Sequence, residues 1–313
     1  LDKDKILTVE WANTPKIVKE WLPEAIIKNL LKTSINGSFS RYEDDSYSDR
    51  FYDYCYVDGA EPSDYKNQII ELSPTHTIMC GIRFFNLDLK RAYINIEHTN
   101  FEEWDMDLFN SAAVAIKKKY EKFNPFAYRI LSADEYRNKY PNLKFTKDLS
   151  YYVGLKGNIL SLEKPIKYDL IELVKPVNLD FYSLYQGLVE FYIDENPGAQ
   201  DYVFALSKKD IERLHKEQTL FSIYIDEQWA GLTAVERATE KYLEGYLIVE
   251  ECLIKKFRGK NFGSAMQRKL IEFMPGDEYT LIFGEIHENN LPSRKTASRN
   301  GLIRSGTHYF IHL

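Results

Sequence analysis

Four cations crowd one glycine-containing turn: Lys255, Lys256, Arg258 and Lys260 surround Gly259, and Gly263 follows. An apolar run, residues 246–254, precedes the turn. Apolar positions Phe262, Met266, Leu270 and Phe273 follow it at helical spacing. The order is strand, tight basic turn, helix. The first N–H groups of a helix have no intrahelical partners, and the helix dipole adds partial positive charge there. Glycine lets the backbone approach a ligand closely. These residues fit the binding of a phosphate or pyrophosphate. The chain has no G-x-G-x-x-G and no G-x-x-x-x-G-K-[ST], so neither a dinucleotide fingerprint nor a P-loop accounts for the turn.

The same strand carries two adjacent carboxylates. Glu250 and Glu251 point to opposite faces, because strand side chains alternate. Glu251 shares the parity of Val249 and Leu253, and a carboxylate among apolar neighbours has its pKa raised toward a range useful to a general base. Glu251 is therefore the first candidate, Glu250 the second, and Glu285 on the next strand a further one; the plain alternative is a solvated strand edge. Cys252 and His287 admit a Cys–His hydrolase reading, although mid-strand cysteines more often pack in a core. The six histidines form no H-E-x-x-H and no cluster with cysteine, so no metal site is expected.

These residues need a scaffold. A second strand is expected over residues 279–287, then a helix opened by Asn290-Leu291-Pro292-Ser293 and closed near Gly301. Upstream, residues 221–225 and 229–237 read as a hairpin across Asp226-Glu227-Gln228. Helices are expected at 179–193 and 208–217. In the N-terminal half, residues 6–11, 51–57, 77–86, 91–98, 126–131 and 149–155 read as strands. Helices are expected at 14–32, divided by Pro23, at 108–123 and at 133–140. Residues 34–50 read as a polar loop, and 157–167 as a linker. A last strand is expected at 307–313. The fold class is thus α/β with a mixed sheet, in two domains, 1–163 and 164–313.

The two halves share this order of elements, and residues 96–112 fall on 249–265 without a gap. In that register Glu102, Glu103, Asp105 and Asp107 lie opposite Lys255, Lys256, Arg258 and Lys260. Met106 and Asn110 lie opposite the two glycines. A pyrophosphate would meet carboxylates in the first copy, and like charges at about 4–6 Å repel by about a kcal/mol even at high dielectric.

Arg258-Gly259-Lys260-Asn261-Phe262-Gly263 resembles the R/Q-x-x-G-x-G/A loop of the GNAT superfamily of acyl-CoA-dependent N-acyltransferases. Leu253 stands where that family has the apolar end of its fourth strand. Asn290, Ser293 and Gly301 stand where it has the N-x-x-A/S…G helix after its fifth. The resemblance covers residues 168–313 and is strongest over 253–302. It departs at Asn261, where the central glycine is expected; Asn accepts left-handed backbone better than most residues. It departs again at Ala297, where the family often has a tyrosine acting as general acid.

The resemblance implies two tandem GNAT-like domains, the first degenerate and without the CoA loop, the second an N-acetyltransferase using acetyl-CoA. It implies that pantetheine lies between the strands ending at Leu253 and Ile286. Leu253 and Ile254 would border it, and the Leu253 N–H would polarise the thioester carbonyl. The pyrophosphate would lie over Arg258, Gly259, Lys260, Asn261, Phe262, Gly263 and Ser264, with Asn290 and Ser293 completing the site. Arg294, Lys295 and Arg299 are candidates for the adenosine 3′-phosphate, or form an ordinary basic helix face. With the tyrosine missing, Tyr309, Ser298 and His308 are the candidate acids, although thiolate is a good leaving group unaided. The acceptor, a small-molecule or peptide amine, would enter over residues 179–193. That segment's Tyr182, Tyr185, Glu190, Tyr192, Asp194 and Glu195 suit a cation, or form an aromatic core face with an acidic edge.

Composition sets outer bounds. The chain has 313 residues, 44% hydrophobic and 28% charged, and a net charge of −6. That is globular, and it argues against a general nucleic-acid surface. No apolar run is long enough to span a membrane. Three scattered cysteines give no disulfide framework and favour a reducing, cytoplasmic setting. Two rival readings remain: a regulatory acyl-CoA-binding protein of GNAT fold without turnover, and a tandem-GNAT aminoacyltransferase using charged tRNA. The sequence leaves the oligomeric state open.

Overall fold

Local signals explain most elements of the computed structural model, which describes residues 1–133 and 139–313. Five residues of the helix expected at 133–140 lie outside the described residues. The chain divides into two compact units. The first comprises Leu1–Leu149, Glu240–Tyr242 and Gly306–Leu313; the second comprises Ser150–Thr239 and Leu243–Ser305. The boundary expected at 163/164 instead falls inside the second unit, and the first unit reclaims the chain's last strand.

The first unit opens with four helices: α1 (Lys3–Asn13), α2 (Lys16–Trp21), α3 (Glu24–Glu43) and α4 (Asp45–Tyr54). Two of them occupy expected strands. The β-branched run at 6–11 is helical because Asp2 caps it, its carboxylate accepting from Asp4 N at 2.9 Å. Ile6 and Val9 then fall on one buried face. The aromatic alternation from 51 onward is likewise overridden by a cap, Asp44 on Ser46 N at 2.8 Å, and helical spacing brings Tyr47 and Phe51 edge to face. The expected loop at 34–50 is spanned by α3 and α4. Pro23 divides α2 from α3, as expected.

Then come β1 (Gln68–Ser73), β2 (His76–Phe84), β3 (Ala92–Thr99), α5 (Met106–Lys119), β4 (Ala127–Ser132) and β5 (Phe145–Leu155). In the first unit β1, β2 and β3 pair antiparallel in turn. β3 and β4 are parallel, with α5 as the crossover. β11 (Ile303–His312) runs antiparallel to β4, from Thr307 opposite Ser132 to His312 opposite Ala127. Ile78, Ile82, Ile94, Phe109, Tyr128 and Tyr309 form its buried core.

In the second unit β5 ends and leads into α6 (Lys156–Ser161), where a linker is expected. Next come β6 (Ile171–Val174), α7 (Tyr182–Glu195), α8 (Lys208–Lys216), β7 (Leu220–Ile225), β8 (Gln228–Glu240) and β9 (Leu243–Leu253). α9 (Phe262–Phe273), β10 (Leu281–His287) and α10 (Leu291–Arg299) follow. The strand order within this unit is β10–β9–β8–β7–β6. β6, β7 and β8 are antiparallel; β9 and β10 are parallel with α9 as the crossover. One face packs Met266, Leu270 and Ile271 of α9 on Ile223 and Ile282. The other packs Tyr185, Leu188 and Val189 of α7 on Leu220, Leu232 and Ala234. Among the described residues no helix is long and apolar enough to cross a membrane.

The series β2–β3–α5–β4 thus repeats as β8–β9–α9–β10. The gapless register holds through the strand: β3 falls on residues 245–252, inside β9. It slips at the turn, because α5 starts three residues earlier than α9 in that register.

Candidate functional site

The sheet of the second unit opens between β9 and β10. Their ladder joins Ile282 to Tyr246 and Phe283 to Leu247, but β9 continues to Leu253 and β10 to His287. A strand flanked on both sides and covered on both faces is normally buried; residues 246–252 are all only partly buried. A Cβ placed on buried Gly284 would meet nothing within 4 Å. The two strands therefore part toward their C-terminal ends and leave space between them. Ile254 N donates to Ala230 O of β8 at 2.8 Å. Antiparallel ladders alternate, so the neighbouring Leu253 N–H turns away from β8, into the parting.

The basic turn begins at the same end of β9. Gly259 has φ +70 and Asn261 φ +64, both left-handed; Asn261 takes the conformation the expected glycine would supply. Nothing lies within 4 Å of a Cβ on Gly259. Gly263 has a different use from the one expected: a Cβ there would meet Thr296 Oγ1 at 2.9 Å, so this glycine admits α10 rather than a ligand. No side chain caps α9 at Asn261, whose Oδ1 instead accepts from Arg299 Nη1 at 2.8 Å. Phe262 is buried, and Ser264 Oγ donates to Asn261 O at 3.4 Å.

The four cations of the turn are not equivalent. Lys255 pairs with Glu195, and Lys256 donates to Gln228 at 2.6 Å. Arg258 folds inward: Nε donates to Leu253 O at 2.6 Å, and the guanidinium lies 4.8 Å from the Tyr192 ring centroid. Burial lowers its pKa. Arg258 fastens the turn to the end of β9; Lys255, Lys256 and Lys260 are exposed, and Lys260 stands between the two left-handed residues of the turn.

Glu250 and Glu251 take opposite faces. Tyr185 Oη donates to Glu250 and itself accepts from Leu206 N at 2.8 Å. Burial pushes Glu250 up to about 7, against the lowering effect of that hydrogen bond. On the α9 face Gln267 Nε2 donates to Glu251 Oε2 at 3.0 Å, while Gln267 Oε1 accepts from Asn300 Nδ2 at 2.9 Å. Glu251 Oε1 is buried without a partner among the described residues. Burial raises Glu251 to about 8, and the charge of Glu250 adds to it. Glu285 is exposed. Burial drives the Cys252 thiol well above its ordinary value, the reverse of an activated thiolate. His287 stacks on Tyr202 at 4.8 Å.

Asn290 caps α10, its Oδ1 accepting from Ser293 N at 3.3 Å. Arg294 is held by Tyr152 and Glu288, while Lys295 and Ser298 are exposed. Tyr309 lies in the first unit, fully buried, with its ring 5.4 Å from Phe145. From Gly306 onward β11, with His308 and Tyr309, belongs to that unit. Among the described residues no group of three or more His, Cys, Asp or Glu side chains is placed to hold a metal.

Gln267 and Asn300 are neighbours of the carboxylates that sequence reasoning missed, and Tyr185, read there as part of an acceptor segment, is the partner of Glu250. Gln267 had a signal, being polar beside Met266 on a helix face otherwise spaced for the core. The first unit adds one more. At the start of α5 the Asp105 carboxylate accepts from Leu108 N at 2.7 Å. The first copy fills its helix N-terminus with its own anion, whereas α9 leaves that position without a side-chain cap.

No family model matches the chain, and no curated protein sequence matches it. Similar solved structures include GNAT family proteins. One is a GCN5-related N-acetyltransferase from Sphaerobacter thermophilus, 11% identical over 88% of this chain and 90% of that chain, TM-score 0.47. Another is a tandem GNAT protein from the clavulanic acid biosynthesis pathway, 10% identical over 87% of this chain and 96% of that chain, TM-score 0.45. A functionally unknown conserved protein from Staphylococcus epidermidis is also similar, 10% identical over 83% of this chain and 96% of that chain, TM-score 0.43.

Proposed function

We propose that the second unit is an N-acetyltransferase that moves an acetyl group from acetyl-CoA to a primary amine. The observation that carries this reading is the parting of β9 and β10 beside an α9 N-terminus without a side-chain cap. A narrow opening between parallel strands suits an extended, amide-bearing chain. An N-terminus with left-handed turn residues and an exposed lysine suits the pyrophosphate at that chain's end. Leu253 N–H is available to the thioester oxygen, where negative charge grows as the amine adds.

Direct transfer needs a base for the ammonium. We assign it to Glu250 rather than Glu251. Glu250 meets Tyr185 of α7, the segment over which the acceptor is expected to enter, whereas Glu251 faces α9 and is held by Gln267; burial raises both carboxylates toward the neutral range that suits a base. Glu250 takes one proton from the ammonium. The free amine nitrogen then bonds to the thioester carbon, the carbon–sulfur bond breaks, and the thiolate leaves with the electron pair and takes up the second proton, which the nitrogen gives up through solvent as it becomes an amide. Calorimetric titration with acetyl-CoA, followed by an amine panel scored for released thiol, tests the reading. Saturable binding with amine-dependent thiol release is the expected result. Absence of acetyl-CoA binding would overturn it, and binding without turnover on any amine would favour the regulatory alternative.

A further inference from the structure

The first unit has a parting of its own. β3 and β4 pair only from Tyr93 opposite Ala127 to Asn95 opposite Arg129. Beyond that ladder, Ile96 to Thr99 and Ile130 to Ser132 diverge and line a cavity of about 50 Å³. In this measure one water occupies about 10–15 Å³, so there is room for about three to five waters or a molecule of similar size. Charged groups reach the cavity wall: Glu10, Glu97, His98 and Lys241.

Their hydrogen bonds show which kind of ligand the cavity suits. Glu97 is satisfied on both oxygens, by Arg83 Nη2 at 2.6 Å and Arg41 Nη2 at 3.1 Å. Glu10, 6% exposed, is also engaged on both oxygens, with His98 Nδ1 at 2.8 Å and Lys241 Nζ at 2.8 Å. His98 Nε2 is engaged by Ser38 Oγ at 3.0 Å. Each oxygen of the two wall carboxylates thus has its own charge-assisted contact. Burial alone would raise the Glu10 pKa, yet Lys241 and His98 hold it down at about 2. Lys241 differs. An ammonium has three donors, and Glu10 is its one ion-pair partner among the described residues. Lys241 is therefore the charged donor of the wall with hydrogen bonds left to give, and its complement is an anionic acceptor.

We infer that this cavity is a binding site for a small monocarboxylate, of acetate size, held by Lys241. It lies wholly within the first unit and does not depend on the function proposed for the second.

The full chain titrated with sodium acetate tests the site, with saturation transfer to the acetate methyl group as readout. Sodium chloride serves as the ionic-strength control and methylammonium chloride as the cation control. Saturable acetate binding is expected, weakened roughly tenfold in Lys241→Met, the scale of one charge-assisted hydrogen bond. Glu10→Gln should tighten binding, because it removes the carboxylate that competes for the ammonium. Lys241→Arg should retain binding and serves as the folding control. Equal acetate affinity in wild type and Lys241→Met would overturn the site; so would binding of methylammonium instead of acetate, or no saturable binding at all. Should Lys241→Met fail to fold, the Glu10→Gln arm decides alone: unchanged or weaker binding sinks the proposal.

Discussion

Glu250 and Glu251 are neighbours in sequence that meet different surroundings, and their substitutions should separate cleanly. If Glu250 accepts the ammonium proton, Glu250→Gln should lower kcat by roughly 10²–10⁴-fold, the usual size of general-base catalysis. Glu251→Gln should stay within several-fold of wild type. Steady-state rates on any accepted amine check this, and the reverse ranking would return the role to Glu251. The same pair makes a stability prediction. Glu251 ionises near 8 in the folded chain and near 4.3 when unfolded. Between those values the unfolded state loses its proton first, so stability falls as pH rises through that window. Glu251→Gln removes this penalty. Its melting temperature relative to wild type should therefore climb from pH 5 to pH 8, and a constant or shrinking difference would refute the assignment.

At the scale of elements, the turn and the start of α9 form one device. Arg258 ties the turn to the end of β9 through Leu253 O, so altering it tests the scaffold more than the ligand. Lys260 is the better probe, because it is exposed at the tip. Lys260→Glu should weaken acetyl-CoA binding roughly tenfold at low salt and by less at high salt, as expected for a screened surface charge. Calorimetry at two salt concentrations reads this out, and an affinity independent of the substitution would remove the anion from this turn. The first unit supplies the contrast: its α5 carries Asp105 as a built-in cap and offers no vacancy to a phosphate.

For the whole molecule this asymmetry predicts one acetyl-CoA per chain, held by the second unit. A calorimetric stoichiometry of two would contradict it. The chain's return to its first unit makes another prediction. Gly306–Leu313 contributes Tyr309, fully buried, and Ile311, 3% exposed. Each such side chain is worth about 1.5–3 kcal/mol when buried. Truncation after Ser305 should therefore destabilise the first unit, seen as faster hydrogen exchange in β4, the strand that β11 pairs. Unchanged protection of β4 would show that the strand is dispensable. For the same reason a fragment ending near residue 162 is an incomplete first unit.

The sequence by itself determined the order strand, basic turn, helix, strand, helix from residue 246 to residue 301. Those signals are local: a period of 3.6 in α9, left-handed Gly259 and Asn261, the Asn290 cap with its proline. It also determined that the two copies differ in charge at the turn, since charge is read directly from residue type. It misread α1 and α4, where β-branched and aromatic runs look like strands and a capping aspartate with a buried face prevails. Tertiary structure alone decided the rest, because those features depend on residues far apart in the chain. Glu250 meets Tyr185 and Glu251 meets Gln267 through packing of α7 and α9 on opposite faces of one strand. The parting of β9 from β10 is a property of two strands and of neither sequence. The allocation of β11, and with it Tyr309, to the first unit is a matter of topology. A strand's alternation says which residues share a face, but not which sheet neighbours it will join.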